Sequence, residues 1–272
     1  MRARKLLVIG LFLLSTVGLW AQESTPIAKV WNKSDHHFSN QIWSVTCDDN
    51  DVAYFGNASG LIRFDSQNWS VTPIKGGSII RSTLYDSGRI YAGSFEEFGY
   101  YETLPNGRLS YTSLSDLLED YNMNNEEIWN IFRWNELIIF HSFVTIFIFD
   151  PVNNDVSFFD TKEFNESIGI DSRNTILSSA HGFSELDLAS RSVKTIPHPW
   201  KERMVAVLPR EKESDLIVTK NEGIYNWDGV TLRRWTTDCD DRLIGGEVNK
   251  AYLTDTGDII IGSSLFGCTA ID

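Results

Sequence analysis

Cysteine, proline and methionine are scarce in this chain of 272 residues, with three Cys, seven Pro and three Met. Cys47, Cys239 and Cys268 are odd in number, show no C-x-x-C spacing and have no flanking histidine at zinc-ligand spacing. Neither a disulfide framework nor a metal site is therefore expected, and they read as buried small residues or at most one bridge. Basic residues are also in deficit, with 24 Lys and Arg against 37 Asp and Glu and a formal charge of −13. Such a chain does not hold nucleic acid through its phosphates, which takes clustered Lys and Arg.

Long hydrophobic runs are absent beyond the N-terminus. The most apolar later stretch, Leu137 to Phe149, carries His141, Ser142 and Thr145 and is rich in β-branched and aromatic residues, which predicts two buried strands rather than a spanning helix. Catalytic signatures are missing as well: there is no G-x-S-x-G, H-E-x-x-H, P-loop or G-x-G-x-x-G. Glu96-Glu97 is an adjacent carboxylate pair, and neighbours on a strand face opposite sides. His36-His37 has no third ligand beside it and reads as a solvated pair. No catalytic residue, metal ligand or cofactor is expected.

What is present begins at the N-terminus. Met1 to Gln22 has Arg2, Arg4 and Lys5, an apolar run from Leu6 to Trp20 and a small residue at Ala21, the pattern of a secretory signal peptide cut after Ala21. Cleavage removes three bases and no acid, taking the formal charge to −16 over residues 22–272.

Between residues 52 and 272 one pattern recurs six times: a β-prone run, a small or polar break that usually holds a glycine, then an alternating apolar stretch closing on an acid. The copies are VAYFGNASGLIRFD, IYAGSFEEFGYYE, LIIFHSFVTIFIFD, TILSSAHGFSELD, LIVTKNEGIYNWD and IIIGSSLFGCTAID. The break glycines Gly60, Gly99, Gly182, Gly223 and Gly267 are 39, 83, 41 and 44 residues apart, and the 83 is two units with a glycine replaced near Val144. That period belongs to a four-stranded propeller blade. Turn signals such as Pro105-Asn106-Gly107, Asp228-Gly229 and Asp255-Thr256-Gly257 separate the remaining β-prone runs, so each unit reads as an antiparallel meander.

The fold class is thus all-β, a β-propeller of four-stranded blades over residues 22–272. Nine Trp and sixteen Phe are expected to fill the space between blades. Leu114, Leu117, Leu118 and Tyr121 follow helical spacing after Ser113 and Ser115, predicting a short helical insertion or a structured loop over 114–129, between the second and third blades. The last copy reaches Asp272 where another strand should follow. A ring of six would need the stretch around Lys29 to Trp43 to complete it, and seven blades would need about forty more residues. The ring is expected to be incomplete, and the chain to be the front part of a longer protein.

Polar residues sit at the break of the copies: Asn57, Ser94 with Glu97, His141 with Ser142, Lys220 with Asn221, and Ser263. Repetition about an axis would gather them into a ring able to read a ligand at one channel mouth. Small polar residues at strand ends also serve simply to satisfy turns.

The segments QIWSV, YFGNASGLIRFDSQNW, RIYAGSFEEFGYYE, GRLSYTSLSDLL, IVTKNEGIYNWDG and IIIGSSLFGCTAID resemble the N-terminal periplasmic propeller of Bacteroidetes transmembrane regulators. Those proteins carry two-component-regulator propeller repeats, a triple-tyrosine domain, a membrane helix and a cytoplasmic output of LuxR or histidine-kinase type. Arg81, Glu97, Ser142, Lys220 and Asn249 fall at positions characteristic of the family and are the candidate ligand-binding residues. The resemblance implies a periplasmic sensor for a small molecule, an oligosaccharide or a protein partner, dimeric in the full-length protein and anchored by a downstream helix. A secreted enzyme acting on polysaccharide and a structural exported propeller are the alternatives.

Overall fold

The computed structural model describes residues 31, 33–118, 121–161, 167–178, 183–190, 192–199, 203–210 and 212–271. The signal segment, its cleavage point at Ala21 and the break residue Gly182 lie outside them. The chain divides into Met1–His37 and Phe38–Asp272. Of the first unit one helical turn, α1 (Lys33–His36), is described.

The second unit is a series of antiparallel meanders. Blade 1 is β1 (Ile42–Cys47), β2 (Ala53–Asn57), β3 (Gly60–Phe64) and β4 (Trp69–Thr72); blade 2 is β5 (Ser82–Asp86), β6 (Arg89–Gly93), β7 (Phe98–Thr103) and β8 (Leu109–Ser113). Blade 3 is β9 (Asn130–Trp134), β10 (Leu137–His141), β11 (Thr145–Asp150) and β12 (Asp155–Asp160); blade 4 is β13 (Ile168–Ile170), β14 (Ile176–Ser178), β15 (Phe183–Asp187) and β16 (Ser192–Ile196). Blade 5 is β17 (Met204–Leu208), β18 (Asp215–Thr219), β19 (Ile224–Trp227) and β20 (Leu232–Trp235), followed by the short helix α2 (Asp240–Leu243). Blade 6 has three described strands, β21 (Val248–Leu253), β22 (Ile259–Ser263) and β23 (Gly267–Ile271). The inner strands β1, β5, β9, β13, β17 and β21 touch in that order, which sets the six blades around one axis.

Each copy of the sequence pattern is the hairpin of the second and third strands of a blade, and its closing acid has a mechanical role. Asp65 Oδ1 accepts the N–H groups of Gln67 and Asn68, Asp150 Oδ1 those of Val152 and Asn153, Asp187 Oδ1 those of Ala189 and Ser190, and Asp228 Oδ1 those of Val230 and Thr231. An aspartate at that position folds the chain into the turn that starts the fourth strand. Blade 2 departs from the pattern: Glu102 instead binds Arg89 Nε at 2.8 Å across the hairpin. The break glycines also answer different demands. Gly60 has φ +121° and leaves no room for a Cβ, which would lie 2.6 Å from the Thr72 carbonyl oxygen, whereas at Gly99 a Cβ would meet the Thr112 oxygen at 2.1 Å.

Separate apolar clusters cement neighbouring blades. Tyr54, Leu61, Ile90 and Tyr101 join blades 1 and 2. Between blades 2 and 3 the cement is aromatic, with Phe98 4.7 Å from Phe140 and 5.0 Å from Phe147 between ring centres. Further clusters link blades 3 and 4, 4 and 5, and 5 and 6.

Two expectations change, and the insertion over 114–129 takes the form of a structured loop with one short turn. Among the described residues of 114–129 only Ser115–Leu117 is helical, as one 3₁₀ turn. The apolar spacing there serves core contacts of an irregular chain: Leu114, Met123 and Ile128 are buried in the cluster between blades 2 and 3. The cysteines are unpaired, and Cys47 and Cys268 are exposed rather than buried. Finally, Ile42 and Trp43 belong to β1, the innermost strand of blade 1, and so supply no outer strand to blade 6.

Candidate functional site

Inner strands of a propeller begin at one mouth of its axis, and in blades 2, 3 and 5 the residue just before the inner strand is held there by a backbone bond to the end of the second strand. The N–H of Arg81 donates to the Gly93 carbonyl at 2.8 Å, that of Trp129 to the His141 carbonyl at 2.9 Å, and the Arg203 carbonyl accepts from Lys220 N–H at 3.1 Å. In blades 1, 5 and 6 the inner strand also carries an irregularity in register, at Trp43, Val205 and Asn249. A bulge re-aims the side chain of its extra residue. All three line the same axial cavity as Arg81, Trp129 and Arg203.

This cavity has a volume of about 380 Å³ and draws wall residues from all six blades, Ser167 standing for blade 4. A second cavity of about 490 Å³ shares Trp43, Arg81, Trp129, Asn130 and Lys250 with it, so the two form one axial space. Its centrepiece is Arg81. Its guanidinium carbon lies 3.9 Å from the centre of the Trp43 ring and 5.2 Å from that of Trp129, a cation between two aromatic faces. Nε and Nη2 both donate to Glu127 Oε1, at 3.2 and 3.0 Å. Glu127 is brought within reach because its segment bridges to Phe95, with the Ile128 N–H donating to the Ser94 carbonyl at 3.0 Å. Trp129 stacks on Phe143 at 5.2 Å with 20° between ring planes.

Several donors here are buried without an acceptor: Trp43 Nε1, Trp129 Nε1 and Arg81 Nη1. A buried N–H left unpaired costs about 1–3 kcal/mol, so such a cluster is held against stability. Lys250 is exposed and lines both parts of this axial space. Desolvation by the surrounding walls, and secondarily the charge of Arg203, hold its ammonium below the ordinary lysine range.

Of the five candidate residues, the structure brings Arg81 and Asn249 together in the axial cavity. The other three lie outside it. Glu97 is buried and accepts from Tyr111 and Ser113 at 2.8 Å each and from Ser115 at 2.9 Å, pinning the end of β8. Burial and the Glu97 charge in turn push the Tyr111 phenol far above its ordinary value. Ser142 donates to Glu126 and accepts the Thr145 N–H at 2.9 Å, closing the β10–β11 turn. Lys220 ties blade 5 to blade 6 through Glu247 at 2.8 Å, and this bond is the first reason the Glu247 carboxyl lies below its usual range.

The remaining break residues also act within the backbone. Asn57 Nδ2 donates to the carbonyls of Ser39 and Gln41 at 2.8 Å, Ser94 to that of Ile79 at 2.7 Å, and Ser263 to that of Gly246. Glu96 and Glu97 lie in a turn rather than on a strand, and Glu96 accepts the Asn125 N–H at 2.8 Å, so the two carboxylates serve different partners.

Trp43, Trp129, Arg203 and Lys250 escape a reading centred on the breaks. The signal that finds them is an aromatic or basic residue at the very start of the strand that opens a blade. A larger groove of about 550 Å³ lies between the outer ends of blades 2 and 3, but its ions answer one another, Arg89 with Glu102 and Arg133 with Asp86 and Glu136.

No protein-family model and no curated protein sequence matches the chain. In fold it is similar to the extracellular domain assigned to the hybrid two-component system BT4673 of B. thetaiotaomicron, with TM-score 0.65 and 15% identity over 86% of this chain and 34% of that one. It is likewise similar to the extracellular domain assigned to the hybrid two-component system BT3049 of the same organism, with TM-score 0.64 and 13% identity over 92% of this chain and 35% of that one. The WD40 propeller domain of Doa1 gives TM-score 0.60 at 14% identity over 84% of this chain and 76% of that one. The chain spans about one third of the length of the two sensor domains. At these identities the likeness is one of fold.

Proposed function

We propose that this chain is the exported sensory propeller of a signal-transduction protein, binding a ligand in its axial space and working by binding rather than turnover. The observation that carries this reading is the convergence of six blades on one cavity whose buried donors lack acceptors. Support also comes from two of the fold neighbours, extracellular domains assigned to hybrid two-component systems, and from the signal-peptide pattern over residues 1–21. No helix among the described residues is long and apolar enough to cross a membrane.

A ligand that touches several blades favours the arrangement of blades it fits. Only a difference in its affinity for two states can transmit a bias onward to a membrane-anchored output that controls transcription. The test is made in cells carrying the full-length protein with Trp43→Ala and Trp129→Ala together. Inducible transcription is expected to disappear while export and abundance stay normal. An unchanged response overturns the reading, as does release of product from any member of a glycan panel by the purified chain.

A further inference from the structure

The charge of the axial space opposes that of the chain. Against a formal charge of −13, the cavity wall holds Arg81, Arg203 and Lys250, and among the described residues no Asp or Glu lines either part of the space. Glu127 answers Arg81 from outside the wall and engages only Nε and Nη2, which leaves Nη1 buried without a partner. Lys250 has no ion-pair partner among the described residues, and its neighbour Arg203 adds like charge instead of relieving it. Two unpaired cationic donors and two unpaired indole N–H groups share a space from which carboxylates are missing, beside the flat faces of Trp129 and Phe143.

We propose that the axial space is an anion site for a small organic carboxylate, its charged group answering Lys250 and the unpartnered Nη1 of Arg81 and its ring or planar body lying on the aromatic wall. This rests on the reading of the space as the ligand site and adds the ligand's chemical class. The part of the space beside Trp129 and Phe143, about 380 Å³, suits a single ring with its substituents. Bare inorganic anions would leave the aromatic wall uncovered. A neutral ring seated on that wall would cover Lys250 without pairing it, and a covered charge is costly unless paired.

Calorimetric titration of the purified chain with matched pairs tests this: benzoate against benzyl alcohol, and glucuronate against glucose. In at least one pair the carboxylate is expected to bind about tenfold more tightly than its neutral partner or better, and to weaken as salt is raised. Lys250→Met, which keeps the apolar stem, is expected to abolish the preference. Lys194→Met, on an exposed outer strand, should preserve it, and circular dichroism confirms that both variants are folded. Equal or tighter binding of the neutral partner, or a preference that survives Lys250→Met, overturns the anion assignment while leaving a ligand-binding propeller intact. Failure of all four probes to bind the folded chain at millimolar concentration also overturns it. Failure of the sensor reading itself would show separately, as an unaltered transcriptional response in the Trp43 and Trp129 variant.

Discussion

His141 shows how one residue at the mouth can be polar for reasons other than a ligand. It ends β10, is buried, and its Nδ1 sits 3.3 Å from Asn130 Nδ2, which assigns the ring proton to Nε2, where no partner is found. Burial pushes its pKa down to about 3 from an ordinary 6.5. The folded state therefore holds the ring neutral while the unfolded chain takes up a proton below about pH 6.5. Stability from this group is complete above that value and is lost as pH falls toward 3, at about 1.4 kcal/mol per pH unit. His141→Phe should remove that slope and one unpaired N–H together. Urea midpoints at about pH 6 and about pH 4 would check it, and a variant that loses stability as steeply as the parent would refute the assignment. The same residue explains why the candidate site was only half legible. Polar residues at the breaks do face the right end of the propeller, but Glu97, Ser142 and the buried histidine are consumed by turns and packing. Arg81 and Asn249 lie one strand further in, where bulges and pre-strand residues turn toward the axis, and no spacing rule in a single sequence marks a bulge.

At the scale of the element, the repeat was legible because four of its copies, those closing on Asp65, Asp150, Asp187 and Asp228, obey the same backbone demand. A hairpin followed by an Asx turn needs β-formers, a break and an aspartate at fixed offsets, so the hairpins β2–β3, β10–β11, β14–β15 and β18–β19 appear where alternation and acid place them. The segment 114–129 left helix and loop open because periodic leucines fit a helix as well as they fit scattered core sites, and the cluster between blades 2 and 3 recruits Leu114, Met123 and Ile128 from an irregular chain. The Asx turn makes its own prediction. Asp228 collects two backbone N–H groups and the Thr231 hydroxyl, and these bonds, that of Thr231 first, lower its pKa to about 2. Asp228→Ala should lower the melting temperature of the chain, and Asp228→Asn, which keeps an acceptor oxygen at Oδ1, should lower it less. Equal effects of the two would mean that charge, rather than the accepted hydrogen bonds, holds the turn.

Across the whole molecule, the axial space and the blade interfaces share residues, so site and stability are coupled. Arg81 enters from blade 2, its two tryptophans from the starts of blades 1 and 3, and its carboxylate from the segment leading into blade 3. Repeat proteins are stabilised by sums of neighbour interfaces, and one weak interface can split an open array into separately melting parts. Here the sandwich spans three blades, and a blade freed on one face cannot bury that face alone. Phe140 tests which behaviour prevails. It is fully buried at the interface of blades 2 and 3, in contact with Phe98 and paired across strands with Phe147 and Ile131. Phe140→Ala should cost about 3–5 kcal/mol through lost burial and the cavity left behind. The loss should appear as one shifted urea transition, with far-UV circular dichroism and tryptophan fluorescence moving together. Two separated transitions would show instead that the blades on either side of Phe140 unfold independently. A ligand in the axial space would then have to join two bodies that the protein itself does not hold as one.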